Sequence, residues 1–238
     1  MSELIDTTEM YLRTVFELEE EGTPPMRARI AERLEQSGPT VSQTVARMER
    51  DGLLTVGPDR IIELSPAGRT MAERVMRKHR LAECMLVELL DLDWELVHAE
   101  ACRWEHVISE DVERRLVTIL GNPTVSPFGN PIPALDELVP HTSATPDDSG
   151  HITLLDAAGD EISYVSVQRI EETAQEDPRT LASFHRAGML VGAVVKCRRT
   201  DGAILVGSGG EYTDISPTMA AHVWVRPTRT PEAIDAAR

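Results

Sequence analysis

The segment from His98 to His106 concentrates side chains that bind metal ions. It reads His-Ala-Glu-Ala-Cys-Arg-Trp-Glu-His. At about 100° per residue on a helix, His98, Cys102, Glu105 and His106 fall on one stripe. Each of these side chains alone is better explained as a solvated polar residue or, for Cys102, as a small core residue. Together they favour a first-row transition metal, which imidazole, thiolate and carboxylate ligands suit.

Upstream, His79 and Glu83 form a second candidate pair, because residues four apart share a helix face. The spacing of these ligands is not the H-E-x-x-H of a zincin protease, and the chain has no C-x-x-C pair for a zinc knuckle. A metalloenzyme with an open coordination site is a remaining alternative, although no further base or nucleophile stands beside the cluster. Gly207–Gly210 lacks the Lys-Ser/Thr of a phosphate loop and predicts a turn. Four scattered histidines are interpreted as surface residues: His141, His151, His185 and His222.

The first 64 residues contain the elements of a DNA-binding fold. Asp6 begins a capping box, and the helix that follows carries Met10 and ends before Gly22–Pro25. The next predicted elements are a helix at Arg27–Leu34, a turn at Ser37–Pro39, a helix at Thr40–Arg50 and a hairpin within Leu53–Leu64. Helix, helix-turn-helix and hairpin in this order predict a winged helix-turn-helix.

The rest of the chain changes from long helices to short strands. Three helices are predicted, from Ser65-Pro66 to about Leu90, from Asp93 to Val107, and from Ser109 to Gly121. They are apolar on more than one face, which suits a bundle or a dimer interface. After a predicted linker come five β segments, at Ile152–Leu155, Tyr164–Val167, Val191–Arg198, Ile204–Val206 and His222–Val225. These segments predict a small β-barrel.

Composition narrows the class of protein. The net charge is −16, which argues against a general nucleic-acid binder. Residues 27–60, however, contain six basic and five acidic side chains. A local basic face on an acidic protein would bind DNA only when it is correctly oriented toward the DNA. The longest apolar stretch, Ala187–Val195, is too short to span a membrane, and the acidic N-terminus has no apolar signal core. Three cysteines form no disulfide framework, so we expect a cytoplasmic protein without membrane partners.

Four motifs resemble the diphtheria toxin repressor and its actinobacterial iron-dependent regulator relatives. They are Arg27–Gly52, Met76–Glu83, His98–His106 and Asn122–Pro131. The resemblance implies a mainly helical chain: an N-terminal winged helix-turn-helix, a helical metal-binding and dimerisation domain, and a C-terminal SH3-like β-barrel. The expected boundaries are residues 1–74 for DNA binding, 75–140 for metal binding and dimerisation, 141–150 for the linker, 151–226 for the SH3-like domain and 227–238 for a tail.

The resemblance also implies two metal sites in each subunit. The primary site would use Met10, Cys102, Glu105 and His106. The ancillary site would use His79, Glu83, His98, Glu172 and Gln175, although the neighbouring Glu171 leaves the register of Glu172 open by one residue. An anion beside the ancillary metal would be held by Arg80, Ser126 and Asn130.

We expect the helix after Ser37 to lie in the major groove of a double-stranded operator. Gln43 would hydrogen-bond base edges, while Ser37 and Pro39 would contact thymine methyl groups. Phosphates would be held by Arg27, Thr40, Ser42, Arg47, Arg50 and Arg60. A homodimer would bind a palindrome, with one or two dimers on each operator.

The predicted function is an Fe²⁺-activated transcriptional repressor of iron-uptake and siderophore genes, not an enzyme. The thioether of Met10 and the thiolate of Cys102 form a softer pair than carboxylates, and this favours Fe²⁺ over Mn²⁺. Manganese-responsive relatives have carboxylates in place of the soft pair. Co²⁺, Ni²⁺, Mn²⁺ or Zn²⁺ could substitute in vitro. A manganese- or zinc-responsive regulator is the nearer alternative, and a metal-dependent enzyme is the more distant one.

Overall fold

The computed structural model describes residues 7–140 and 149–228. Within these ranges the chain forms two units. The first comprises residues 7–79, 102–115 and 133–140, and the second comprises residues 80–101, 116–132 and 149–228. The predicted cap Asp6, residues 141–148 of the predicted linker and residues 229–238 of the predicted tail lie outside the described residues.

The first unit begins with the predicted DNA-binding elements. These are α1 (Thr7–Glu20), α2 (Arg27–Arg33), α3 (Gly38–Arg50), β1 (Leu54–Val56) and β2 (Ile62–Leu64). Ser37 precedes α3 and its Oγ accepts a hydrogen bond from the Thr40 amide, while Pro39 lies in the first helical turn. The two strands pair antiparallel, with Leu54 opposite Leu64. The winged helix-turn-helix prediction is confirmed.

The apolar spacing of α3 explains which of its faces is buried. Val41, Val45 and Met48 recur at helical intervals, and all three are fully buried in one core with Tyr11 and Leu12 of α1. This arrangement leaves the opposite face of α3 exposed to solvent. Burying five such side chains stabilises the unit by roughly 1.5–3 kcal/mol each, before conformational entropy is subtracted.

Helices follow the hairpin: α4 (Pro66–Glu88), a single 3₁₀ turn (Trp94–Leu96), α5 (Val97–Trp104) and α6 (Glu110–Ile119). Gly68 lets α4 approach the hairpin, because a Cβ atom there would lie 1.9 Å from the carbonyl oxygen of Leu53. The helix predicted from Asp93 to Val107 is shorter than expected. Its first turn is 3₁₀, and the Asp93 side chain makes no capping hydrogen bond. No described helix combines the length and apolarity needed to cross a bilayer.

The second unit contains a six-stranded antiparallel sheet in the order β3-β8-β4-β5-β6-β7. The strands are β3 (Ile152–Thr153), β4 (Ser163–Ile170), β5 (Val194–Thr200), β6 (Ala203–Ser208), β7 (Glu211–Ile215) and β8 (Val223–Pro227). Four helices accompany them: α7 (Leu154–Ala157), α8 (Glu172–Gln175), α9 (Pro178–Arg186) and α10 (Pro217–Ala220). The predicted mainly helical chain with a small C-terminal β domain is confirmed.

One local prediction in this unit was wrong, and some elements were not predicted. The strand predicted at Ile152–Leu155 has two residues and then continues as a helix. The strand β7 and the helix α9 were not predicted. The predicted turn is confirmed, because Gly209 and Gly210 join β6 to β7 with positive φ angles of 63° and 99°.

Candidate metal centre and DNA-binding face

A thiol, a carboxylate and an imidazole converge at the end of α5 in the first unit. Cys102 lies on the last turn of α5, and Glu105 and His106 follow directly after the helix. His106 Nε2 lies 3.3 Å from Glu105 Oε1. Glu105 is 1% exposed, and Cys102 and His106 are half-buried. We call Cys102, Glu105 and His106 the α5 cluster.

Two charged side chains of α1 contact this cluster. Arg13 NH1 donates to Cys102 Sγ at 3.2 Å and to the two Glu105 carboxylate oxygens at 2.8 and 2.7 Å. Glu9 Oε2 lies 2.7 Å from His106 Nδ1. Met10 follows Glu9 and precedes Arg13 by three residues, so it shares a face of α1 with Arg13. The structure therefore brings Cys102, Glu105 and His106 together and places the turn of α1 that carries Met10 beside them.

The surroundings of Glu105 keep it ionised. Burial alone would raise its pKa, but the charge of Arg13 and a hydrogen bond with His79 lower the pKa to about 2. His79 Nδ1 lies 2.7 Å from Glu105 Oε2. The pKa of His106 is raised, chiefly by its hydrogen bond with Glu9, while burial opposes the shift. The α5 cluster thus presents an anionic carboxylate beside an imidazole and a thiol, a donor set that fits a transition metal.

The predicted ancillary ligands lie in both units. His79 belongs to the first unit, whereas Glu83, His98, Glu172 and Gln175 belong to the second. His98 Nδ1 lies 3.7 Å from Glu83 Oε1, and both side chains are buried. Gln175 donates to the carbonyl oxygen of Ile170 at 2.7 Å. Its buried Oε1 accepts no hydrogen bond from any described residue, and an oxygen in that situation fits a metal ligand.

The structure distinguishes Glu172 from Glu171. Arg80 donates to Glu172 Oε1 through Nε and NH2, at 2.9 and 2.7 Å. Glu171 instead accepts a hydrogen bond from Trp224 Nε1 at 2.5 Å and lies 2.9 Å from His222 Nδ1. Glu172 is therefore the carboxylate that pairs with Arg80, and Glu171 is not. The interpretation of His222 as a surface residue was wrong, because its side chain is only 20% exposed and pairs with Glu171.

The three predicted anion-binding residues are all buried in the second unit. Arg80 also donates to the carbonyl oxygen of Pro131. Asn130 Nδ2 donates to the carbonyl oxygen of Ile170 at 2.8 Å, the same oxygen that Gln175 contacts. Ser126 Oγ accepts a hydrogen bond from the Phe128 amide at 3.2 Å. Arg80 and Asn130 therefore both contact the segment Ile170–Gln175 that carries the predicted ligands of α8.

Most of the residues predicted to contact DNA are exposed on the winged helix-turn-helix. Eight of the nine are exposed, namely Ser37, Pro39, Thr40, Ser42, Gln43, Arg47, Arg50 and Arg60, and Arg27 is half-buried. Arg60 lies at the tip of the wing with a left-handed backbone conformation (φ 68°). Arg47 NH2 lies 3.5 Å from Thr8 Oγ1 in the first turn of α1. This exposed face has the side chains needed to bind phosphates and base edges.

Arg13 and Glu9 were missed from the sequence. Their contacts reach residues 89 to 97 positions away, and no local pattern signals a pairing of that kind. The one available signal was position: both lie within a turn of Met10, which was already a candidate ligand.

A winged helix-turn-helix combined with a cluster of metal-ligand side chains defines a metal-dependent DNA-binding regulator. Two family descriptions match the chain: the iron-dependent repressor N-terminal DNA-binding domain at residues 3–62, and the iron-dependent repressor metal-binding and dimerisation domain at residues 65–134. The chain belongs to the iron-dependent repressor family. A homodimer that binds DNA follows from this membership.

Characterised relatives agree with this assignment. The chain is 54% identical to the iron-dependent repressor IdeR of Mycobacterium tuberculosis, over 94% of this chain and 99% of that protein. It is 51% identical to the diphtheria toxin repressor of Corynebacterium diphtheriae, over 92% of this chain and 96% of that protein. Among solved structures, a manganese-dependent transcriptional repressor in complex with manganese superposes with a TM-score of 0.74 at 28% identity, covering 93% and 100% of the two chains. These relatives are repressors, so the metalloenzyme alternative is set aside.

Proposed function

We propose that the chain is an Fe²⁺-activated homodimeric repressor that binds palindromic operators of iron-uptake and siderophore genes in the cytoplasm. The observation that carries the proposal is the contact between α1 and the α5 cluster. Glu9 and Arg13 bring α1 to His106, Cys102 and Glu105. An element that contacts both a metal-ligand cluster and the DNA-binding helix is suited to link the two.

The ligand chemistry supports iron. Met10, Cys102, Glu105 and His106 would hold the primary metal, and a thioether with a thiolate is softer than a set of carboxylates. A bound Fe²⁺ would supply positive charge that neutralises Cys102 and Glu105. His79, Glu83, His98, Glu172 and Gln175 would hold the ancillary metal, with Arg80, Ser126 and Asn130 binding an anion beside it.

Met10 supplies the switch. When Met10 and Cys102 act as ligands together, α1 is tied to the end of α5. Because Tyr11 and Leu12 of α1 pack with Val41 and Val45 of α3, ordering α1 also orders the DNA-binding helix. Coupling of this kind is typically worth about 1–3 kcal/mol, or roughly 5- to 150-fold in DNA affinity.

The exposed face of α3 supports the proposed mode of DNA binding. Gln43 would contact base edges, Ser37 and Pro39 would contact thymine methyl groups, and the arginines of α3 and the wing would bind phosphates. A dimer would bind two half-sites separated by helical turns of DNA, with one or two dimers on each operator.

Exposed apolar side chains are consistent with pairing of two copies. In the second unit, Leu89, Leu90, Leu96 and Ile119 are between 45% and 57% exposed. All four lie within residues 65–134, which match the metal-binding and dimerisation domain. A second copy that covers these side chains would remove apolar surface from water.

A manganese-responsive regulator is the competing proposal, since a solved relative at 28% identity is a manganese-dependent repressor. The decisive experiment is an anaerobic DNA-binding titration of the full chain with Fe²⁺, Mn²⁺, Zn²⁺ and Co²⁺ separately. We expect Fe²⁺ to activate at the lowest free concentration. Activation by Mn²⁺ at lower concentration than Fe²⁺ would favour the competing proposal.

Two cysteine variants separate the metal role from folding. Cys102→Ala removes a proposed ligand and should leave DNA binding weak at every metal concentration. Cys197→Ala removes a buried thiol of β5 whose pKa burial raises to about 11, and it should respond to metal normally. Operator binding by the chelated wild-type protein as tight as by the Fe²⁺-loaded protein would contradict the switch.

A further inference from the structure

Arg13 contacts atoms that the metal would need. Its NH1 nitrogen donates to Cys102 Sγ and to both carboxylate oxygens of Glu105, at distances between 2.7 and 3.2 Å. One cationic nitrogen thus bridges two of the four proposed primary ligands. The contact is anchored on the other side, because Arg13 Nε donates to Glu17 Oε1 at 2.6 Å.

This guanidinium is largely enclosed and stays charged. The Arg13 side chain is 12% exposed. An arginine guanidinium keeps its proton in proteins, so Arg13 is a cation beside these ligands. Because its NH1 nitrogen occupies Cys102 Sγ and the Glu105 oxygens, the Arg13 side chain must move for another cation to take its place.

We propose that Arg13 is a built-in competitor of the metal at Cys102 and Glu105, an inference that rests on the metal-binding function proposed above. In protein without metal, the guanidinium neutralises the two ligands, and the metal must displace it. Metal binding then exchanges one α1 side chain for another, Arg13 for Met10. The competition sets the metal concentration at which the repressor switches, so Arg13 is a positioning residue that weakens metal affinity.

The geometry gives this exchange a simple form. Met10 and Arg13 are three residues apart and lie on the same face of α1. A small movement of α1 is enough to withdraw one side chain and bring in the other. Charge-assisted hydrogen bonds such as those of Arg13 are among the stronger ones in proteins, and their loss opposes metal entry.

The test compares Co²⁺ binding to metal-free full-length variants. The thiolate-to-cobalt charge-transfer absorption reports ligation of Cys102 directly, and stopped-flow mixing gives the association rate. We expect Arg13→Ala and Arg13→Gln to bind Co²⁺ about tenfold more tightly than the wild type and to associate faster. Circular dichroism checks folding, and Arg13→Gln decides the question if the alanine variant does not fold.

Arg33→Ala is the matched control. Arg33 is 13% exposed and lies 3.6 Å from Glu17, which Arg13 also contacts, and 2.8 Å from Glu21. Its loss removes the same charge from the same unit, so it should leave Co²⁺ affinity within about twofold of the wild type. A tenfold gain in this control as well would attribute the effect to net charge and overturn the role of Arg13.

Two further results discriminate between this inference and the function it rests on. If wild-type protein shows the charge-transfer band and both folded Arg13 variants bind Co²⁺ equally or more weakly, competition by Arg13 is wrong and the metal site stands. If the wild type shows no such band, or Cys102→Ala retains it, both the metal site and the inference are overturned.

Discussion

Glu9 and His106 lie 97 positions apart, and a hydrogen bond of 2.7 Å joins their side chains. The bond connects the first turn of α1 to the residue that follows Glu105 in the α5 cluster. It is the main cause of the raised pKa of His106, with burial opposing the shift and Glu105 reinforcing it. The pairing therefore favours protonated His106, and its contribution to stability depends on pH.

Glu9→Gln should lower the pKa of His106 in metal-free protein. Because the folded pKa is raised, the pairing stabilises the fold fully below the unfolded value of about 6.5 and loses its effect as pH rises through the folded value. The variant should therefore be less stable than the wild type at pH 5.5, with the difference shrinking by pH 8.5. NMR titration and urea unfolding measure the two effects. The exposed Glu32→Gln serves as a control, and a difference independent of pH would contradict the prediction.

The preference for Fe²⁺ over Mn²⁺ should depend on the two soft ligands, Met10 and Cys102. Replacing Met10 by Asp and Cys102 by Glu converts the proposed primary site to harder oxygen ligands, which suit Mn²⁺ better than Fe²⁺. Operator binding, measured anaerobically with each metal, should shift toward activation by Mn²⁺. An unchanged preference in a folded double variant would show that selectivity arises elsewhere.

The sequence predicted elements best where apolar spacing and a cap agree. The spacing of Val41, Val45 and Met48 after Ser37 predicted α3 almost to its ends. By contrast, β7 lies beside β6 at the edge of the described sheet, and its segment Glu-Tyr-Thr-Asp-Ile is mostly polar, so little in its composition marks it as a strand. The helix α9 did carry a signal, since Asp177 caps it and Pro178 begins it, and that signal was overlooked.

The sequence predicted which side chains of the candidate site share one helix, but not which side chains of different helices contact each other. The predicted stripe from His98 to His106 and the pair on α4 come from helical spacing, and the link to Met10 came from resemblance. The salt bridge between Arg13 and Glu105 depends on how α1 packs in the folded unit, because the two residues are 92 positions apart. Long-range contacts between charged side chains leave no periodic trace in a sequence, so they emerged only with the structure.

DNA recognition should divide between base contacts and phosphate contacts. Gln43→Ala should reduce the preference for operator over scrambled DNA. Arg50→Ala should weaken binding to both DNAs and reduce the slope of log affinity against log salt concentration by about one. Both side chains are exposed on α3, so neither change should alter folding. Footprints on the two DNAs at several salt concentrations make the comparison. Equal losses on both DNAs for Gln43→Ala would remove it as a base-reading residue.

Glu172 and Gln175 should contribute to metal cooperativity without being essential for DNA binding. Both lie on α8 of the second unit, whereas Cys102, Glu105 and His106 belong to the first. Gln175 has a buried Oε1 with no hydrogen bond from any described residue, so it is available as a ligand. Glu172→Ala combined with Gln175→Ala should therefore lower the cooperativity of metal activation and partly weaken operator binding. Metal titration of DNA binding measures both effects.

Loss of Glu172 also has a structural effect that the experiment must separate. Removing it leaves the buried Arg80 guanidinium without its carboxylate partner, and breaking a buried pair of this kind costs about 3–5 kcal/mol. Glu172→Gln keeps an oxygen that can accept hydrogen bonds from Arg80 but replaces the anionic ligand by a neutral amide. If cooperativity falls in both Glu172→Gln and the double variant, the loss reflects metal binding. Unchanged cooperativity in a folded double variant would exclude Glu172 and Gln175 as metal ligands.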